Sequence, residues 1–144
     1  MKSILLVVTM IAALDSQAMD ANSMMRDFIW EKRVLLLFTP DDGHASFQQQ
    51  NQILSEVKDG MAERDMTTIR AMADGTLTVD NTKQSIAATD FYQRYSVREN
   101  EFRVILVGKD STVKLDKKSI VTAAELFELI DAMPMRQYEM LQDE

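Results

Sequence analysis

Five residues of this chain, His44, Arg64, Asp65, Lys109 and Arg136, have side chains from which a reaction centre or a ligand clamp could be built. The loop Pro40-Asp41-Asp42-Gly43-His44 sets the single histidine beside two carboxylates. An imidazole titrates near neutrality, so this group could serve as a general base or, with the carboxylates, bind a divalent cation. Pro, Asp and Gly are equally ordinary turn formers, and nothing nearby in sequence completes a ligand set. In Glu63-Arg64-Asp65 a guanidinium lies between two acids, where its fork can pair with a carboxylate and pin a loop, or clamp a ligand. Pinning is the simpler expectation. Lys109-Asp110 reads as the tip of a solvated turn. Arg136 follows a proline and can reach back to Asp131 or a helix end, or anchor a partner. Met133, Met135 and Met140 form a thioether cluster of the kind that holds Cu(I), but no His or Cys accompanies it, and Met is also a flexible core filler. No catalytic set, no metal set and no cofactor is assigned.

The absent chemistry is more decisive. With no cysteine among its 144 residues, the chain has no thiol nucleophile, no thiolate ligand and no dithiol couple. Thiol–disulfide exchange and cysteine peroxidase activity are therefore excluded. Stability is expected from the apolar core alone, since no disulfide can staple the fold. Sixteen basic and 23 acidic residues give a formal charge of −7 without a basic stripe. Nucleic acid and anionic membrane surfaces are poor electrostatic partners for such a domain.

The N-terminus predicts export. Lys2 is a minimal basic region, Ile4 to Leu14 is apolar almost throughout, and Ser16-Gln17-Ala18 is a small-x-small cleavage site. The apolar stretch is shorter than the roughly 20 residues a spanning helix needs. A signal peptide over 1–18 is expected, followed by one domain over 19–144, periplasmic or secreted and without a stable membrane anchor. Another exported protein is the partner expected for it.

The elements that must position these side chains are legible from periodicity. Arg33 to Thr39, RVLLLFT, is a continuous apolar run of strand length and reads as a central strand buried on both faces. Trp30, just before it, is expected to lie buried as a lid on the sheet. Phe47, Ile53, Leu54, Val57 and Met61 trace one helix, capped by Ser46 and stopped by Gly60. Met66 to Met72 reads as a second strand, parallel to the first, and Leu77 with Val79 as a weak extended segment. A helix around Thr89 to Tyr95, reaching back as far as Thr82, precedes a hairpin of Phe102 to Val107 and Val113 to Leu115. Thr122-Ala-Ala-Glu125 is a capping box, and Leu126, Phe127, Ile130 and Met133 form the stripe of a helix that Pro134 stops.

This order, β-α-β-α-β-β-α, predicts an α/β domain with a central mixed sheet of about four strands flanked by helices, and it resembles the thioredoxin fold. The stretch from Phe91 to Val97, with Tyr95-x-Val97, followed by Phe102 to Val107 and Val113-Lys114-Leu115, is similar to the second half of such domains. More closely, the chain resembles a bacterial family of exported thioredoxin-like domains of unknown function, related to domains of vertebrate sushi-repeat-containing extracellular proteins. Carrying that resemblance are Trp30 with Arg33 to Phe38, Glu63-Arg64-Asp65, Leu106 to Asp110 with Val113 to Leu115, Glu125-Leu126-Phe127, and Ile130 to Arg136. It implies a fold and an export route but no reaction. Working thioredoxins carry CxxC after the first strand and a cis-proline before the third. Here Pro40 to His44 and Asn100-Glu101 stand at those places, and Ser111 replaces the glycine of the family's turn. The signal segment, the missing thiols and this resemblance together point to a non-catalytic, exported domain that binds a protein or small ligand. The alternative is an enzyme using Asp41, His44 and Arg64, which requires those side chains to converge.

Overall fold

In the computed structural model, which describes residues 20–143, a six-stranded mixed sheet is sandwiched between two helical layers. The signal segment expected over 1–18 lies outside the described residues. Six strands are Arg33–Thr39 (β1), Met66–Met72 (β2), Leu77–Val79 (β3), Thr82–Lys83 (β4), Arg103–Val107 (β5) and Val113–Lys117 (β6), in the order β4-β3-β2-β1-β5-β6. β1 pairs with β2 in parallel and with β5 antiparallel, so it is central, as its apolar run requires. Two strands more than expected arise because Asp80 and Asn81, both at positive φ, make a two-residue turn that folds Thr82–Lys83 back onto β3. Left-handed geometry at both central positions suits the twist of a tight hairpin. It also shortens the following helix, Thr89–Arg94 (α4), whose predicted extension back to Thr82 is replaced by strand.

All seven residues of β1 are buried, and their alternation divides the core. Val34, Leu36 and Phe38 face Ala21–Phe28 (α1) and α4, meeting Met25, Phe91 and Tyr92. Leu35 and Leu37 face the other layer: Ala45–Ser55 (α2), Lys58–Glu63 (α3) and Ala123–Asp131 (α5), through Phe47, Leu54, Met61, Leu126 and Ile130. A buried amide stitches this layer, because the Gln50 side chain donates to Val121 O at 2.9 Å and accepts from Val121 N at 2.7 Å.

Several local expectations change. Thr122 caps α5 by accepting from Glu125 N at 3.1 Å, but the Glu125 carboxylate pairs with Lys117 at 2.9 Å, so only half of the capping box forms. Pro134 does end α5's run and opens Pro134–Gln142 (α6) at its first position, where no N–H is required. The expected single helix over 47–61 is two, α2 and α3, interrupted at Glu56-Val57, and α2 begins at His44 rather than Ser46 without a side-chain cap. Gly60 is inside α3 and stops nothing. A Cβ there would sit 2.8 Å from Phe127 Cε2, so the glycine admits the aromatic ring of α5. Trp30 is 62% exposed at φ 68° and covers no part of the sheet.

Gly60→Ala should therefore destabilise the domain by about 1–3 kcal/mol through overpacking against Phe127. The midpoint of urea unfolding measures it, and Phe127→Leu in the same chain should recover part of the loss.

Candidate functional site

Four of the five side chains singled out by type do converge, at the N-terminal end of β1. Arg64 and Asp65 lie in the turn before β2, Lys109 follows β5, and Arg136 is on α6. Two residues not foreseen, Arg33 at the start of β1 and Glu139 on α6, complete the group together with Asp131 at the end of α5, the partner expected for Arg136. Arg33 is 1% exposed and binds Glu139 with both terminal nitrogens at 3.1 Å, and its Nη1 also donates to Arg64 O at 2.9 Å. Lys109, expected on a solvated tip, is 7% exposed, and its Nζ donates to Asp65 at 2.8 Å and to Glu139. Arg64 makes the foreseen fork-to-carboxylate pair, but with Asp131 (3.0 and 2.8 Å) and not with its neighbours; Glu63 is 3.9 Å away. Its plane lies 3.9 Å over the Phe127 ring. Arg136 reaches Asp131 at 3.1 Å, as its sequence position suggested, and Glu63 at 3.0 Å.

Four cations and four carboxylates thus neutralise one another. A hydrogen bond from Lys109 holds Asp65 below the usual carboxylate range, and one from Arg64 does the same for Asp131. Burial pushes Glu139 up, but hydrogen bonds from Arg33 and Lys109 outweigh it and leave its pKa lowered. A general base must titrate near the operating pH, and these groups are moved away from neutrality. The cluster is built to hold α6, the α3–β2 turn and the β5–β6 turn on the sheet.

His44 is not part of it. Because β1 and β2 are parallel, the turn before β2 and the loop after β1 lie at opposite ends of the sheet. A seven-residue strand separates those ends by about 20 Å. His44 stacks on Phe102 with ring centroids 5.8 Å apart, and its Nδ1 is buried without a partner. Asp41, His44 and Arg64 do not converge, which removes the enzyme built from them. Among the described residues no three His, Cys, Asp or Glu side chains gather around a cation position. Met133 packs on the core and Met135 is exposed.

Around the cluster, Trp30, Arg33, Lys109, Lys114, Met133 and Met135 line a cavity of about 340 Å³. Ser111 in the adjoining turn has φ 67°, the conformation for which a glycine is better suited.

A larger concavity, about 660 Å³, lies elsewhere and was not anticipated. Its floor is the α2/α3 face of β2 and β3, carrying Thr68, Arg70, Met72 and Thr78; its walls are α2, α3 and the Asp80-Asn81 turn. The short helices leave this side of the sheet open. Arg70 donates from Nε to Asn51 Oδ1 at 2.8 Å and from Nη1 to Asn81 Oδ1 at 3.2 Å. Asp80 is occupied by Thr67 Oγ1 (2.7 Å) and Thr68 N (2.9 Å). Burial lowers the pKa of Arg70 against the attraction of Asp80. Thr78 Oγ1, next to Arg70 in register, is buried without a partner. The alternation in MTTIRAM held the signal: Thr68 and Arg70 share a face that a fully covered central strand would fill with apolar residues.

The family described as domain of unknown function DUF4174 matches residues 24–139. This chain belongs to that family. It is 26% identical over 132 residues to coiled-coil domain-containing protein 80 of Danio rerio, an alignment covering 78% of this chain and 15% of that much longer protein. Among solved structures, the reduced 2-Cys peroxiredoxin of Plasmodium vivax superposes with TM-score 0.58 at 15% identity, over 80% of this chain and 83% of that one. Thioredoxin peroxidase I of Plasmodium yoelii gives TM-score 0.59 at 18% identity, over 78% and 79%. The DUF4174 chain therefore has a thioredoxin-like fold without the cysteine on which peroxidase chemistry depends.

Replacing Asp131 with Ala should cost roughly 2–4 kcal/mol, less than a fully buried pair because a third of that side chain is in water. Carboxylates lowered in the folded state stabilise it above their unfolded pKa values of about 4, and that stability is lost as pH falls through the folded values. Urea unfolding between pH 7 and pH 2.5 should show a steep loss below about pH 4 that is shallower in D131A.

Proposed function

We propose that this DUF4174 domain is a non-redox binding module of the cell exterior or periplasm, and that the cleft over β2 and β3 holds its ligand. One observation carries the reading. Of the arginines withdrawn from solvent, Arg33, Arg64, Arg103 and Arg136 each hold a carboxylate, whereas Arg70 is held by two amide carbonyls in an open cleft. A charged group kept half-buried without a directly paired carboxylate costs folding free energy, so its retention is best accounted for by something that binds there. The size fits a small-molecule site, which falls typically at about 300–1,000 Å³. His44, Arg64, Asp65, Lys109 and Arg136, the ligand residues expected from sequence, are in this reading structural.

Amide chemical-shift mapping tests it. On adding a panel of small organic acids and neutral amides, shifts should concentrate at Asn51, Arg70, Thr78 and Asn81. Shifts confined to the Trp30–Met135 cavity would move the site to the charge cluster, and a wholly silent spectrum would remove the module.

The export half of the proposal rests on Lys2, the apolar run Ile4 to Leu14 and Ser16-Gln17-Ala18, together with a cysteine-free chain that has nothing to lose in an oxidising compartment. Kinship to exported bacterial domains and to sushi-repeat extracellular proteins belongs to the same proposal. Expressed in a bacterium with its own N-terminus, the protein should be recovered outside the cytoplasm with Met19 as its first residue by mass spectrometry. Recovery of the intact N-terminus in the cytoplasm would refute export while leaving the cleft untouched.

A further inference from the structure

We propose that the cleft of Arg70 selects a monoanionic amphiphile, a carboxylate on an unbranched apolar chain. This inference rests on the binding-module reading and names the ligand class. A guanidinium has five N–H donors, and the protein uses two of Arg70's, one for Asn51 and one for Asn81. Three remain, among them both on Nη2, which makes no hydrogen bond among the described residues. The two amide oxygens fix the plane of the group, so the remaining donors are preorganised at little further entropic cost. A planar fork of parallel N–H groups matches a carboxylate better than any other common anion.

The charge count points to a single negative charge. Arg70 and Lys58 are the cations of the cleft, and Asp80 is its one acid. Asp80 spends its oxygens on Thr67 and Thr68, so it does not occupy the Arg70 fork, yet its charge lowers the net site charge to about +1. The unpartnered Thr78 hydroxyl is buried beside Arg70 on the neighbouring strand. Beyond this polar floor, Phe47, Leu54, Met61, Met66 and Met72 offer an apolar lining. Methionine is flexible enough to follow a chain of variable length.

Octanoate, octanol and octyl phosphate, titrated into the purified full-length protein and followed by amide shifts, decide the matter. Octanoate should bind in the cleft about tenfold or more tightly than octanol, in keeping with a hydrogen bond to a charged group. Arg70→Gln should reduce that ratio to near one while leaving octanol binding unchanged. Equal affinity of octanoate and octanol for the cleft would overturn the carboxylate assignment and leave the binding module standing. Tighter binding of octyl phosphate would overturn it in favour of a dianion. Absence of cleft shifts with all three would overturn the amphiphile assignment, and shifts confined to the Trp30–Met135 cavity would overturn it by moving the site to the charge cluster. Should Arg70→Gln not fold, the wild-type comparison of octanoate with octanol still decides between these outcomes.

Discussion

The fork between Arg33 and Glu139 is the contact on which the rest of this fold depends. Arg33 opens the central strand and is almost fully buried, so its charge must be answered inside the protein. The answer comes from a helix 106 residues further along the chain. Arg136 is the buried residue of that helix, so α6 is docked by charge and not by an apolar stripe. Such an attachment is conditional: taking two ions out of water costs several kcal/mol each, and only complete pairing offsets it. Hence Lys109, Asp65, Arg64, Asp131, Arg136 and Glu63 must all be present around the first pair. Removing Glu139, for example, leaves Arg33 buried with only the Arg64 carbonyl to accept from it.

This constraint separates two roles that composition alone confuses. Arginine and carboxylate gathered at the end of a sheet look like an active site, and here they close up a domain that has no disulfide to do so. Asp65, Asp131 and Glu139 each accept from a cation that suppresses their basicity. A general base needs the opposite, a carboxylate whose charge is poorly answered. Arg70 is treated differently by the same fold. Amide oxygens orient it without neutralising it, and the turn supplying one of them exists because Asp80 and Asn81 adopt left-handed geometry.

Local chemistry made much of this legible in the sequence. The apolar run of β1, the Thr122 cap and the Pro134 stop are each set within a dozen residues, the parallel return of β2 and the terminal hairpin follow from the order of the elements, and each formed. Arg64, Asp65, Lys109 and Arg136 are recognisable by type, and the Arg136–Asp131 contact by its short spacing, but Glu139, and Asp131 as the partner of Arg64, are brought to them only by the tertiary fold. Arg33 was read as the edge of an apolar strand. Gly60 has two physical uses, a helix stop and a gap for a ring, and only the position of Phe127 distinguishes them. Trp30 was assigned to the core on hydrophobicity, yet its backbone turns at positive φ and projects it outwards. His44 was grouped with Arg64 although a parallel pair of strands necessarily puts the loop after one and the turn before the other at opposite ends.

That last point bears on what a cysteine-free member of this fold can retain. Thr39 to His44 occupies the end of the central strand, and there the Thr39 carbonyl is approached by the Tyr92 hydroxyl at 3.0 Å, with burial pushing that phenol up to about 12. A phenol so raised stays protonated and acts as a structural donor, so this end holds a packed joint. The charged end is equally committed. What the sheet leaves open is the flank where α2 and α3 are too short to cover β3, and Arg70 on that flank is bound by amide oxygens and by no carboxylate. Such a concavity with an oriented arginine is what the proposed binding role rests on, since recognition, unlike catalysis, asks for no further reactive group.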